Sequence, residues 1–163
     1  MSSLSRKLSV LFILLLLSYS STLFAKKAPS FSLKGNKGTV SLSAHKGQVV
    51  YVDFWASWCK PCRKSFPFMN SLNARYGKKG LKVIAINLDT DKAAAKKFLK
   101  KNPAKFTIAY DPGNKVSEAY GLRVMPTSFL IDRKGNIVNV HKGFKKKHTK
   151  KLEQKIVQAL SKR

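Results

Sequence analysis

A run of β-branched and aromatic residues, QVVYVDFWA (48–56), stops just short of Cys59 and Cys62, the only cysteines in the chain. Beyond the pair, KSFPFMNSLNARYG (64–77) sets Phe68, Leu72 and Tyr76 at i, i+4 and i+8, the spacing of an amphipathic helix ending near Gly77. A buried strand, a cysteine-bearing turn and a helix follow one another directly. LKVIAINLD (81–89) then reads as a second buried strand, 91–101 as a surface helix, FTIAYD (106–111) as a short strand and NKVSEAYGL (114–122) as a short helix closed at Gly121. Residues 126–143 read as two strands joined at RKGN, and the tail from Thr149 puts Leu152, Ile156, Ala159 and Leu160 on one helical face. The lead-in, 26–46, fits two small strands or a hairpin. This order predicts an α/β fold: a central mixed sheet, parallel on one side with an antiparallel edge, and helices on both faces.

The first 25 residues stand apart. Arg6 and Lys7 precede the apolar LSVLFILLLL (8–17), and SYSSTLFA (18–25) brings small and polar residues up to Ala25. That layout predicts a secretory signal peptide cut near Ala25, leaving 26–163 as a single domain. A retained anchor is the alternative, but the apolar stretch is interrupted by Ser and Thr and is shorter than the ~20 residues a spanning helix needs. No cysteine lies near the junction for lipid attachment. Export would put the mature chain, in the periplasm, where disulfides form and persist.

Three uses of the cysteine pair are open: half of a metal site, a staple, or a redox dithiol. A structural zinc needs four ligands, and the three histidines (His45, His141, His148) are scattered with no second CxxC. A bridge closing so short a loop restrains little chain entropy. The redox reading uses the surroundings. At the start of a helix, free N–H groups and the dipole favour a Cys59 thiolate, Lys60 adds positive charge, and Pro61 stiffens the turn without losing a needed hydrogen bond. Cys62, one turn in, should be more buried and less acidic, so an exposed sulfur attacks and a shielded one resolves. Trp58 is expected to face substrate, Trp55 to pack in the core, and Pro67 to bend the helix.

VDFWASWCKPC followed by Pro67 resembles the active-site segment of the thioredoxin superfamily, and VMPTSFLIDRKGNIV (124–138) resembles its cis-proline loop and following hairpin. Within the superfamily, 30–163 is most similar to the exported TlpA/ResA-like thiol–disulfide oxidoreductases, which also carry an inserted helix–strand unit, here about 91–110. The resemblance implies a thioredoxin-like fold, with Cys59 as nucleophile and Cys62 as resolving thiol. It implies a cis Met125–Pro126 bond whose loop offers backbone hydrogen bonds to an extended substrate. Asp53 stands where thioredoxin has a buried carboxylate that takes the proton of the resolving cysteine, and burial raises the pKa of such an acid. Respiratory-type members often carry Glu at the position of Ser65 and Asn at that of Asp53, and this chain departs from them at both.

The expected activity is protein disulfide reduction, since Lys60–Pro61 resembles the Gly-Pro of reductants more than the Pro-His of oxidants. The alternatives are a thiol oxidant and a non-catalytic basic binding module. The implied partners are disulfide-containing exported proteins and a membrane-embedded, DsbD-like electron donor. The reading needs no cofactor or metal, and takes the protein as a monomer.

Charge is the remaining anomaly. The chain has 33 Lys+Arg against 7 Asp+Glu; removing Arg6 and Lys7 from its net +26 leaves +24. Export and the lack of a recognised module argue against nucleic acid. The dense run FKKKHTKKLEQK (144–155) opposes the dipole of the final helix. It reads as a solvated basic face, with weak contact to acidic partners or an anionic membrane surface as the functional alternative.

Overall fold

The structure, a computed structural model, describes residues 26–162. The expected signal peptide and its cleavage site near Ala25 lie outside the described residues. Two strands, β3 (Val49–Trp55) and β4 (Leu81–Asn87), pair in parallel along their full length and form the centre of the sheet. Parallel neighbours need a long crossover. Helix α1 (Lys60–Tyr76) supplies it, and α2 (Lys92–Lys101) makes the next one, to β5 (Thr107–Tyr110).

On the other side of β3 lies β6 (Thr127–Ile131), antiparallel to it, followed by β7 (Ile137–Lys142). The turn between them closes on Asp132, whose Oδ1 accepts the amides of Lys134 and Asn136 while Gly135 takes a positive φ of 80°. The N-terminal hairpin, β1 (Ser32–Gly35) and β2 (Gly38–Ser41), joins the same sheet through β1 and β5, giving the order β2-β1-β5-β4-β3-β6-β7. The sheet is therefore antiparallel at both edges, not one. Gly35 permits the close approach: a Cβ there would stand 2.8 Å from the Ile108 carbonyl oxygen.

Strand alternation divides the core in two. Tyr51 and Trp55 face Phe66, Met69 and Leu72 of α1, Phe98 of α2, and Leu152 and Ile156 of α4 (Thr149–Ser161). Val50, Val52 and Phe54 face the other way, onto Phe31, Phe129, and Val116 and Tyr120 of the α3 segment (α3, Lys115–Ala119). The β6–β7 turn is tied to its surroundings by Arg133, whose guanidinium donates to the carbonyls of Gly47, Leu160 and Lys162. No helix among the described residues is long and apolar enough to cross a membrane.

Helix α1 starts at Lys60, with Cys59 as its cap and Pro61, which has no N–H to leave unpaired, in its first turn. One sequence reading changes. The histidines are not all scattered: His141 on β7 and His148 before α4 meet edge to face, ring centroids 5.7 Å apart. Burial and the neighbouring His148 hold the His141 imidazole below its ordinary pKa.

Candidate active site

At the C-terminal end of β3 the chain leaves the sheet through Ala56, Ser57 and Trp58 before entering α1. This turn is held from the next strand. The Asp89 carboxylate accepts the Ser57 amide at 3.1 and 3.0 Å and the Ser57 hydroxyl at 2.9 Å. Asn87 orients Asp89, donating to its Oδ2 at 2.8 Å and accepting its amide at 3.2 Å. A hydrogen bond from Leu88 N to Trp55 O at 2.9 Å fastens the two strand ends. The turn is thereby rigid at the point where it delivers Cys59 to the helix.

Cys59 is the cap of α1, with extended φ −77° and ψ 98°, and its Sγ accepts the Cys62 amide at 3.3 Å. The two cysteines form a disulfide with Cα atoms 5.3 Å apart. Cys59 is 4% exposed and Cys62 fully buried. The expectation of an exposed Cys59 is corrected for this oxidised state, in which both cysteines are buried and the asymmetry in exposure survives only in direction. On reduction, the same amide and the same helix end would meet a thiolate, which they favour over a thiol. Lys60 and Pro61 are exposed on the rim, as is Pro67 inside the helix.

Trp58 is 70% exposed, while Trp55 is fully buried against Phe66 and Phe98. The Met125–Pro126 bond is cis. Met125 is partly buried and packs against the core cluster that contains both cysteines. Pro126 is buried, and its carbonyl accepts the Gly143 amide at 2.7 Å.

Asp53 lies between Tyr51 and Trp55 on β3, hence on the face that carries α1 and Cys62. It is 2% exposed, flanked by Ala85 and Ser128 in the sheet, and its Oδ2 has no hydrogen-bond partner. Burial pushes its pKa well above the usual carboxylate range. Tyr51 is pushed up as well, by burial first and then by the charge of Asp53. A buried acid with a free oxygen on this face can hold and release a proton. The loop anchors Asn87 and Asp89 went unnoticed in the sequence; the only signal was an Asn-Leu-Asp at the end of a strand.

The Redoxin family profile matches residues 25–156. The chain belongs to the Redoxin family. It is similar to thiol-disulfide oxidoreductase ResA of Bacillus cereus (strain ATCC 10987 / NRS 248), 41% identical over 121 residues that span 72% of this chain and 69% of the relative. ResA of Bacillus subtilis (strain 168) is 35% identical over 117 residues, 71% of this chain and 65% of that one. Among solved structures, that of a candidate thiol:disulfide interchange protein DsbE from Chlorobium tepidum matches with a TM-score of 0.83 and 51% identity, covering 84% of this chain and 97% of the other. StoA from Bacillus subtilis matches with a TM-score of 0.67 and 28% identity over 78% and 96% of the two chains. This Redoxin-family protein is thus a TlpA/ResA-like member of the thioredoxin superfamily and a thiol–disulfide oxidoreductase, which sets aside the non-catalytic docking module.

Proposed function

We propose that this protein is an exported protein disulfide reductase. The Cys59 thiolate attacks one sulfur of a substrate disulfide; that bond breaks, and the departing substrate thiolate takes up a proton. Cys62 gives its proton to Asp53 and attacks the Cys59 sulfur of the mixed disulfide, releasing the second substrate thiol. Two electrons pass to the substrate, and Cys59–Cys62 is left oxidised. A membrane-embedded, DsbD-like dithiol donor would return the electrons. Trp58, Met125 and Pro126 form the docking rim for an extended substrate strand. Lys60 and Pro61 tune the pair.

The observation that carries this reading is the Cys59 sulfur at the cap of α1, within reach of the Cys62 amide. Its direction rests on Lys60–Pro61, nearer to the Gly-Pro of reductants than to the Pro-His of oxidants. Export rests on the Arg6–Ala25 leader, removal of which leaves 26–163 as one periplasmic domain. Insulin reduction tests the chemistry: Cys59→Ser and Cys62→Ser should each abolish turnover, and unchanged rates in both overturn the reading. A reduction potential near thioredoxin's ~−270 mV supports a reductant, and one near ~−120 mV makes it an oxidant.

A further inference from the structure

Of the seven Asp and Glu side chains, five are engaged by partners within the fold, Asp53 is buried with one oxygen unpartnered, and Glu118 is exposed on α3. Asp53, Asp89 and Asp111 are buried, the last accepting the amides of Val116 and Ser117. Asp91 caps α2 through the Ala93 amide at 2.7 Å, Asp132 closes the β6–β7 turn, and Glu153 pairs with Arg75. That pair is the only salt bridge among the described residues. Among the described residues, no lysine forms a salt bridge.

One place gathers such charges on segments that adjoin the cysteine pair in the chain. A cleft of about 510 Å³ opens between α1 and α2, lined by Ser57, Arg63, Lys97, Phe98, Lys101 and Asn102. Ser57 is two residues before Cys59, and Arg63 directly follows Cys62. Lys97 and Lys101 are one turn apart on the exposed side of α2, and Phe98 is 6% exposed, tilted against Trp55 and edge-on to Phe66. No carboxylate lines the cleft. The acids nearest in the chain are Asp89, committed to Ser57 and Asn87, and Asp91, committed to the α2 cap.

We propose that this cleft binds acidic residues flanking the target cysteine of the substrate, making the protein selective for disulfides in acidic sequence. This deepens the reductase reading and rests on it. Three cations of one sign around a partly apolar floor focus an attractive field on a carboxylate. A substrate strand rises about 3.3 Å per residue, so side chains within roughly two to four residues of a cysteine held at Cys59 can reach it. The inserted helix α2 thus supplies recognition to a site whose chemistry lies on α1.

Two disulfide peptides test this, identical except for Glu or Gln at the positions flanking one cysteine, with kcat/KM measured for each. The wild-type protein should prefer the Glu peptide. Lys97→Gln with Lys101→Gln should lower that preference roughly threefold to tenfold, the range of two exposed charge pairs. Lys46→Gln with Lys134→Gln removes the same charge at the opposite end of β3, about 20 Å away, and should leave the preference intact. No preference in the wild type, or an equal fall in both double variants, overturns the proposal while leaving the reductase reading standing. Failure to reduce either peptide overturns both.

Discussion

Asp89 holds Ser57 with three hydrogen bonds, two to the amide and one to the hydroxyl, across 32 residues of sequence. The strand after the active-site helix thereby fixes the turn before it. Neither residue carries chemistry. Together they set the approach of Trp58 and Cys59.

Replacing Asp89 by Ala should cost about 2–3 kcal/mol, since hydrogen bonds to a buried charge are lost and the Asn87 amide is orphaned. Urea denaturation measures this. Disulfide reduction should slow as well, because the cap geometry of Cys59 loosens. A loss under ~0.5 kcal/mol would mean that the loop holds its shape without the carboxylate.

The pH dependence of stability should carry the signature of Asp53. Its folded pKa lies above the unfolded value, so between the two the folded state binds more protons. The contribution is full below the unfolded carboxylate pKa and is lost as pH rises through the folded one. Wild-type stability should fall across that window by up to ~1.4 kcal/mol per pH unit for the one proton. Asp53→Asn should lack that fall and should also slow release of the mixed disulfide. Parallel pH–stability curves for the two proteins would contradict the assignment.

Trp58→Ala should leave thermal stability within about 0.5 kcal/mol, because the ring is 70% exposed. Its effect should appear as a raised KM for protein disulfides and little change with a small aromatic disulfide. Equal losses on both would point to altered cysteine chemistry in place of lost docking.

Phe66→Ala should destabilise by about 3–5 kcal/mol. The ring is 1% exposed and meets Trp55, Phe98 and Phe106 at centroid distances of 5.0, 5.1 and 5.3 Å. It lies one turn beyond Cys62 and joins α1 to β3 and α2. Guanidinium unfolding followed by Trp fluorescence reads the change.

Apolar spacing along the chain was enough to place the helices and the strands from β3 onward, since the period of a segment reports which of its faces is buried; the lead-in strands were left without bounds. The cysteine pair was legible as well, because a cap position and a proline are local chemistry. Whom each segment pairs with was not legible. The hairpin β1–β2 reaches the sheet through only two residue pairs, Lys34 with Tyr110 and Gly35 with Ala109, some 75 residues apart in sequence. The grip of Asp89 on Ser57 and the meeting of His141 with His148 depend in the same way on where the chain returns. Likewise, counting lysines gives a charge but no site. Only the packing of α2 beside α1 brings Arg63, Lys97 and Lys101 to one cleft, because side chains far apart in sequence become neighbours only after the sheet has brought their elements together.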